Sequence, residues 1–520
     1  MFKALLFLVA LGLAAYTQFT QLTAVPGLHF DEAWQGVFAH RIASEAGFYP
    51  MSAMNSYTSP VVHYLLALAF KLFGPSLVVM RGTYAFFNFA TLGLILVLFW
   101  RAKEKKAAFW FVLLWALLPL SVHDHRFYVE MTGLFGLCLA FVLWGLALWH
   151  KRPILSFTLT LIAIIAGSYS HVLFVAVFIG ALYIGARYFS REFYNPRARA
   201  LVATTALALT PLALRMGWGL KKPLPFVLAT AFVLLAAFAA LSSRHRTLNK
   251  IWERLPRVSI RSARWLALAA IPFLVGFLAL MWNGNWPYAQ ATGHLEWRWL
   301  PLNAALFVVL AFYKRKKDGD FTSMLWHGFL VTFLVSSLLI LKQSPRYYYV
   351  PLVLAMMWMA LKLAHLRTPA FQWTLALTFT VWNLWCFQTA YITRFENYGS
   401  TTNEFRAALY HDNGRDFRPF QKAFSWLVSQ NCQNDLRWFE DDRFLFPVEF
   451  LRLTAPKPTA PCAWPYDSIF FSHIENYDPL FQGPRTARNT PPPANAPHVK
   501  LLAHFAEWGD LAFWIRKTEK

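Results

Sequence analysis

The sequence predicts an all-α polytopic membrane protein of about thirteen spans, followed by a small extramembrane α/β tail. Three observations predict it. Of 520 residues, 57% are hydrophobic and only 14% charged, against roughly 25% charged in soluble domains. The apolar residues are gathered into long runs. The lysines and arginines stand in short clusters between those runs.

A soluble fold of this composition needs one very large core, and cores stop growing at about 250–300 residues. Lipid removes that bound, because apolar side chains can face outward. A span takes about 20 apolar residues. The candidate runs are 3–24, 78–100, 107–122, 129–149, 154–170, 172–187, 201–217, 224–242, 265–282, 301–313, 322–341, 347–364 and 371–393. The first reads as a retained helix rather than a cleaved signal peptide, since no small-x-small cleavage site follows it. Aromatic residues reach 18%, which suits a chain with two membrane–water interfaces to anchor.

The formal charge is +23. Its cations recur at Arg101–Lys106, Lys151–Arg152, Arg187–Arg199, Arg244–Arg264 and Lys314–Lys317. That spacing follows the positive-inside rule and argues against a nucleic-acid-binding face. Pro60–Phe73 decides the topology. If it spanned, the Arg101–Lys106 and Lys314–Lys317 clusters would fall on the wrong side. At 14 residues it is also short for a span. It therefore reads as an interfacial helix. The N-terminus is then cytoplasmic, and residues 26–77, 121–128, 283–300 and 342–346 face outward, together with the tail.

Residues 1–393 form the membrane part and 394–520 the tail. The tail has ordinary charge density, a Pro491–Pro493 cluster and alternating runs at 468–472 and 511–515 that read as strands. Trp508-Gly509-Asp510 reads as a hairpin turn. Cys138 and Cys386 lie in apolar runs as packing residues. Cys432 and Cys462 lie in the tail, where an oxidising compartment would let them pair.

Chemistry-bearing groups recur on the expected outer face. Asp31 and Glu32 directly follow the first span, where acidic groups are costly to carry near hydrocarbon. Asp31 also suits an N-cap for an amphipathic interfacial helix with apolar residues at Ala33, Val37, Phe38 and Ile42. Tyr57 precedes the Pro60 helix, which carries His63 as a packing residue. Arg81 opens the next span, either as a snorkelling anchor or as a cation for a ligand. The second loop holds His123, Asp124, His125, Arg126, Tyr128 and Glu130; its His-Asp-His run leaves a divalent metal open, and no other cofactor is implied. Ser170-His171 lies between two spans. Lys342, Arg346 and Tyr347 precede a late span, where an arginine can make two parallel hydrogen bonds to phosphate oxygens and the tyrosines can form an aromatic belt.

The order of these features resembles the C-type (GT-C) glycosyltransferases, in the branch of protein mannosyltransferases and lipid A aminoarabinose transferases. An acidic pair follows the first helix (Asp31, Glu32). A Pro-led interfacial helix ends in Phe73-Gly74. Arg81 opens the second span, Arg126-x-Tyr128 follows in the second loop, Ser170-His171 comes between later spans, and Arg346-Tyr347 with Pro351 starts a late one. The similarity covers about residues 1–393. Thr58 and Ser59 stand where some relatives carry a basic residue before the proline.

The resemblance implies a membrane glycosyltransferase that takes a sugar from a polyprenyl-phosphate carrier and passes it, with inversion, to a hydroxyl of a lipid, glycan or protein acceptor. It implies Asp31 as base, with Glu32 orienting it or binding acceptor. Arg346 is the first candidate for the carrier phosphate, with Lys342, Arg81 and Arg126 behind it. His171, Tyr57, Asp124, Glu130 and Tyr347 are left for substrate. The expected setting is a bacterial inner membrane. A flippase for lipid-linked sugars would use the same cations, although the sequence lacks the matching inverted halves common in transporters. A membrane-anchored scaffold leaves the polar cluster without a purpose.

Overall fold

The computed structural model describes residues 2–24, 28, 30–51, 53, 58–126, 133–189, 195–221, 223–242, 245–254, 265–273, 275, 295–313, 320–339, 345–366, 368–392, 418–434, 436–439, 445–462, 468–473, 499–505 and 511–516. The helices are α1 (Phe2–Phe19), α2 (Phe30–Ser44), α3 (Val61–Phe73), α4 (Leu77–Arg101), α5 (Lys105–Leu117), α6 (Pro119–Asp124), α7 (Gly133–Leu148), α8 (Pro153–Ser170) and α9 (Val175–Tyr188). They continue with α10 (Pro196–Leu220), α11 (Pro223–Ser242), α12 (Arg246–Arg254), α13 (Leu295–Phe312), α14 (Asp320–Leu339), α15 (Tyr349–Ala364) and α16 (Pro369–Cys386). The tail adds α17 (Arg418–Ser429) and α18 (Leu445–Thr454).

Local chemistry sets the breaks. Pro60 precedes α3, and Gly74 ends it at φ 80°, a left-handed conformation that glycine adopts without steric cost. The Ser76 hydroxyl then accepts the Val79 N–H at 3.1 Å and caps α4. The apolar run 107–122 is not one helix. Leu118 is extended, as expected for the residue before a proline, and Pro119 opens the short α6. His171 is likewise extended, so the runs 154–170 and 172–187 are two helices, as expected, joined by a turn of 3-10 helix over Val172–Phe174.

The centre of the bundle is α5 and α15. Every residue of α5 from Ala107 to Leu117 except Phe109 is buried, and so is every residue of α15 except the half-buried Leu352. α1 and α15 pack on α5, while α14 and α7 pack on α15. Outward faces are apolar as well: Leu8, Phe86, Ile162 and Leu234 are each at least 60% exposed. Such faces suit lipid and not water. Among the described residues, five helices are long and apolar enough to cross a membrane: Leu77–Arg101, Pro153–Ser170, Pro196–Trp218, Pro225–Ser242 and Phe321–Leu339. The chain is an integral, polytopic, mainly helical membrane protein. Several other apolar runs form shorter helices, among them Gly133–Leu148 and Tyr349–Ala364.

In the tail, β1 (Leu436–Phe439), β2 (Ser468–His473), β3 (Val499–Phe505) and β4 (Leu511–Arg516) form one sheet in the order β1-β2-β4-β3. β1 and β2 are parallel; β4 is antiparallel to both β2 and β3, with Phe505 opposite Leu511. Cys432 and Cys462 are joined by a disulfide.

α2 departs from the expected surface helix. Its residues Glu32–Val37 are buried, because α3 covers one side and α18 another. α3 is amphipathic in a different sense, with Leu68, Leu72 and Phe73 exposed and Val62, Leu66 and Phe70 buried. An exposed apolar stripe opposite a packed one fits a helix lying in the membrane interface.

His63 faces α2, edge-on to Trp34 and Phe38 at centroid distances of 4.9 Å each. It is fully buried, and neither ring nitrogen has a hydrogen-bond partner among the described residues. An unsatisfied buried polar group costs about 1–3 kcal/mol. His63→Phe is therefore expected to stabilise the fold by about 1 kcal/mol after some loss to overpacking, seen as a raised thermal midpoint in detergent. A lowered midpoint would mean that water satisfies the ring.

Candidate active site

The acidic pair lies in the first turn of α2, where the helix dipole favours anions. The two carboxylates differ in setting. Asp31 is half-buried. Glu32 is fully buried and meets an equally buried Arg81 in a bidentate pair, Nε to Oε1 at 3.0 Å and Nη2 to Oε2 at 2.7 Å. Arg81 Nη1 donates to the Leu22 carbonyl. The guanidinium that opens α4 thus points inward, and it pins the start of α2 to the end of the α1 segment and the start of α4.

Arg126 also turns inward. It is fully buried and donates from Nη1 to the Thr17 and Gln18 carbonyls and from Nη2 to the Thr20 carbonyl. These carbonyls lie at the C-terminal end of α1, which has no intrahelical donors and carries negative dipole charge. An arginine from the second loop is therefore the cap of the first helix.

His125 fixes the same loop. Its ring lies against Trp115, with centroids 4.1 Å apart. Nδ1 is 3.3 Å from the Ser121 hydroxyl, and Nε2 is 3.2 Å from the Tyr349 hydroxyl. Its carbonyl accepts from Gln18 Nε2 and from Asn88 Nδ2, the latter at 3.2 Å. The loop is thereby tied to α1, α4 and α15 at once. Complete burial pushes the His125 imidazole down to about 3.

The sign of that shift fixes a pH dependence. A histidine held neutral in the fold binds fewer protons than the unfolded chain between about pH 3 and 6.5, so stability rises with pH across that window. Acidification below about pH 6.5 is expected to lower the melting midpoint progressively. His125→Gln should flatten this dependence, and an unchanged slope would exclude His125 as its source.

His171 ends α8. Its Nδ1 accepts the Leu173 N–H at 3.2 Å, and its ring lies near-parallel to that of Tyr347 with centroids 6.2 Å apart. Tyr347 is half-buried and belongs to a short 3-10 turn, Pro345–Tyr348, that also carries the backbone of Arg346. The stretch before α3 is bound to the same end: Ser59 N donates to the Tyr169 carbonyl at 2.9 Å.

Arg215 is the residue the sequence reading missed. It sits on α10, half-buried, with Nη2 donating to the Thr58 carbonyl at 2.7 Å. Thus a cation does reach the position before Pro60, but from another helix. Its signal was an arginine inside an apolar run, which by itself marks a functional candidate.

The structure therefore draws Glu32, Arg81, His125, Arg126, His171, Tyr347 and Arg215 toward one end of the bundle, together with the backbones of Asp31 and Arg346. Tyr57, Glu130 and Lys342 lie outside the described residues, as do the side chains of Asp124 and Arg346. Among the described residues there is no group of three or more His, Cys, Asp or Glu able to hold a metal ion.

No known protein family matches the chain by sequence, and no curated protein does either. Solved structures do resemble it. An oligosaccharyltransferase from Archaeoglobus fulgidus, tethered to an acceptor peptide, is 15% identical with a TM-score of 0.47, covering 89% of this chain and 61% of its own. This chain thus spans about three fifths of that protein's length. ArnT from Cupriavidus metallidurans bound to undecaprenyl phosphate is 13% identical with a TM-score of 0.47, covering 99% of this chain and 97% of its own. Its apo form gives 13% and 0.46, covering 98% and 97%. Both neighbours are C-type glycosyltransferases.

Proposed function

We propose that this protein is a membrane glycosyltransferase that moves a sugar from a polyprenyl-phosphate carrier to an acceptor hydroxyl on a lipid, glycan or protein. One observation carries the reading. An acidic helix start, a histidine–arginine loop and the Arg346–Tyr347 turn, far apart in sequence, are tied to one end of the bundle by the contacts of Arg81, Arg126, His125 and His171. That combination would put a base and the backbone of a candidate phosphate-binding arginine at the same end as an interfacial helix.

In this mechanism Asp31 takes the acceptor's proton as the new bond to the anomeric carbon forms. Glu32, neutralised by Arg81, orients the turn that carries it. The carrier phosphate leaves with its charge, which fixed cations in a partly dry site stabilise. Arg346 is the first candidate for this role, with Lys342 and Arg215 as the next. Arg81 and Arg126 act behind the site, as braces. His171, Tyr57, Tyr347, Asp124 and Glu130 are the candidates for binding the sugar and acceptor. About thirteen helices would span the membrane, with the N-terminus cytoplasmic. Residues 394–520 would form an α/β domain outside a bacterial inner membrane.

The test is a mass-spectrometric comparison of the lipids and glycans of cells with and without the protein. One species should be larger by a sugar residue only when the protein is present. In vesicles, a flippase would move the carrier-linked sugar without an acceptor, whereas a transferase consumes it. Arg346→Ala is expected to weaken undecaprenyl phosphate binding on the order of 10- to 100-fold, since hydrogen bonds to charged groups contribute about 1.5–3 kcal/mol. Unchanged affinity by calorimetry would remove Arg346 from the phosphate site.

A further inference from the structure

The start of α2 is held from three sides, and two of the holds come from the tail. Leu28, three residues before Asp31, is buried, and its N–H donates to Gln421 Oε1 on α17 at 2.8 Å. Further along α2, Gly36 faces Phe450 of α18. A Cβ at Gly36 would lie 2.3 Å from Phe450 Cε2 and 2.5 Å from Cδ2. The phenyl ring occupies the space that any other residue at 36 would fill. Glycine inside a helix is unfavourable by itself; here the close approach of the ring requires it. The third hold is the Arg81–Glu32 pair.

The two tail helices form one braced unit. The Cys432–Cys462 disulfide joins the end of α17 to the segment beyond α18. Arg452 Nε donates to the Gln433 carbonyl at 2.9 Å, Gln433 Nε2 to the Pro456 carbonyl at 3.0 Å, and Thr459 N to Asn431 Oδ1 at 3.1 Å. Glu449 of α18 lies half-buried over α2, with burial raising its pKa and the positive charges of Arg41 and Arg452 opposing that rise. Gln421 and Phe450 therefore cannot shift independently. A displacement of about 1 Å at a reacting group can cost on the order of 10²-fold in rate, so rigidity at residues 28–36 bears directly on a base at 31.

We infer that the α17–α18 unit of the tail is a clamp that sets the position of the acidic first turn of α2, with Gln421 and Phe450 as positioning residues. The inference rests on the reading of Asp31 as the base. It assigns the tail a part in the chemistry of the membrane region. Acceptor capture is not needed to explain these contacts. It also makes removal of the tail uninformative about a scaffold role, because a transferase would lose its activity too.

The test uses the full chain in nanodiscs, with hydrogen exchange over residues 28–40, affinity for undecaprenyl phosphate, and turnover of the product found by mass spectrometry. Gly36→Ala should push against Phe450, raise exchange at 28–36 about tenfold and lower turnover at least tenfold, while phosphate affinity stays within about twofold. Adding Phe450→Leu should restore most of the turnover, which a general folding defect would not allow. Gln421→Leu, which removes one hydrogen bond, should lower turnover about fivefold with little change in melting. Wild-type exchange and turnover in Gly36→Ala, no rescue by the second substitution, or wild-type turnover in Gln421→Leu would each overturn the clamp. If Asp31→Asn were fully active while the exchange and rescue pattern held, the clamp would stand and the choice of base would fail.

Discussion

Asp31→Asn is expected to yield a protein that inserts, folds and binds undecaprenyl phosphate, yet transfers sugar at least about 10³-fold more slowly. A positioned base contributes typically 10²–10⁴-fold, and asparagine keeps the shape while removing the proton acceptor. The fold should survive because the buried ion pair at this helix start uses the neighbouring Glu32, not Asp31. Asp31 is half-buried in the first turn of α2, and asparagine leaves a polar side chain of the same shape there. The measurement is single-turnover transfer with carrier-linked sugar, set beside a melting curve and a phosphate-binding isotherm. Turnover within tenfold of wild type would exclude Asp31 as base.

Glu32→Gln and Arg81→Leu are expected to act on the fold first. Each leaves a charge in a fully buried site without its counter-ion, at a cost of about 3–5 kcal/mol. Whole-protein stability is typically about 5–15 kcal/mol, so either variant should accumulate poorly and melt far below wild type. The double variant Glu32→Leu/Arg81→Met removes both charges at similar volume and should recover most of the stability, since well-packed apolar replacements of buried pairs are often neutral or better. It should remain slow in transfer, because the turn bearing Asp31 has lost an anchor. Single variants as stable as wild type would mean that the pair is reached by water.

The helical membrane architecture was legible because lipid imposes its own period and length on the sequence. Pro60 and Gly74 bracket α3 as the sequence implied, and the helices expected at 154–170 and 172–187 are separate, as α8 and α9. Direction was not legible. Arg81 and Arg126 sit at span ends, where a sequence shows only that a cation is near the interface. Whether it reaches out to a ligand or folds back depends on which carbonyls and carboxylates lie beneath it. For these two the partners are Glu32 and the end of α1, neither deducible from spacing. α2 was misread for a related reason. Its pattern of Ala33, Val37, Phe38 and Ile42 looks one-sided, but α3 and α18 cover it from two directions. Phe450 against Gly36 had no local signal at all, because a hole is defined only when its knob arrives. Arg215 had a signal that went unused.

The cap on the first helix has a consequence for biosynthesis. Its terminal carbonyls find their donor in a side chain 106 to 109 residues further along the chain. At about 5–20 residues per second, that donor leaves the ribosome roughly 5–20 s after the groups it must satisfy. Exposed carbonyls are not tolerated in hydrocarbon, so for that interval the end of α1 must stay where water can reach it. The end of the newborn helix is thereby kept at a membrane–water interface until the second loop arrives to seal it, and the order of translation sets the order of assembly.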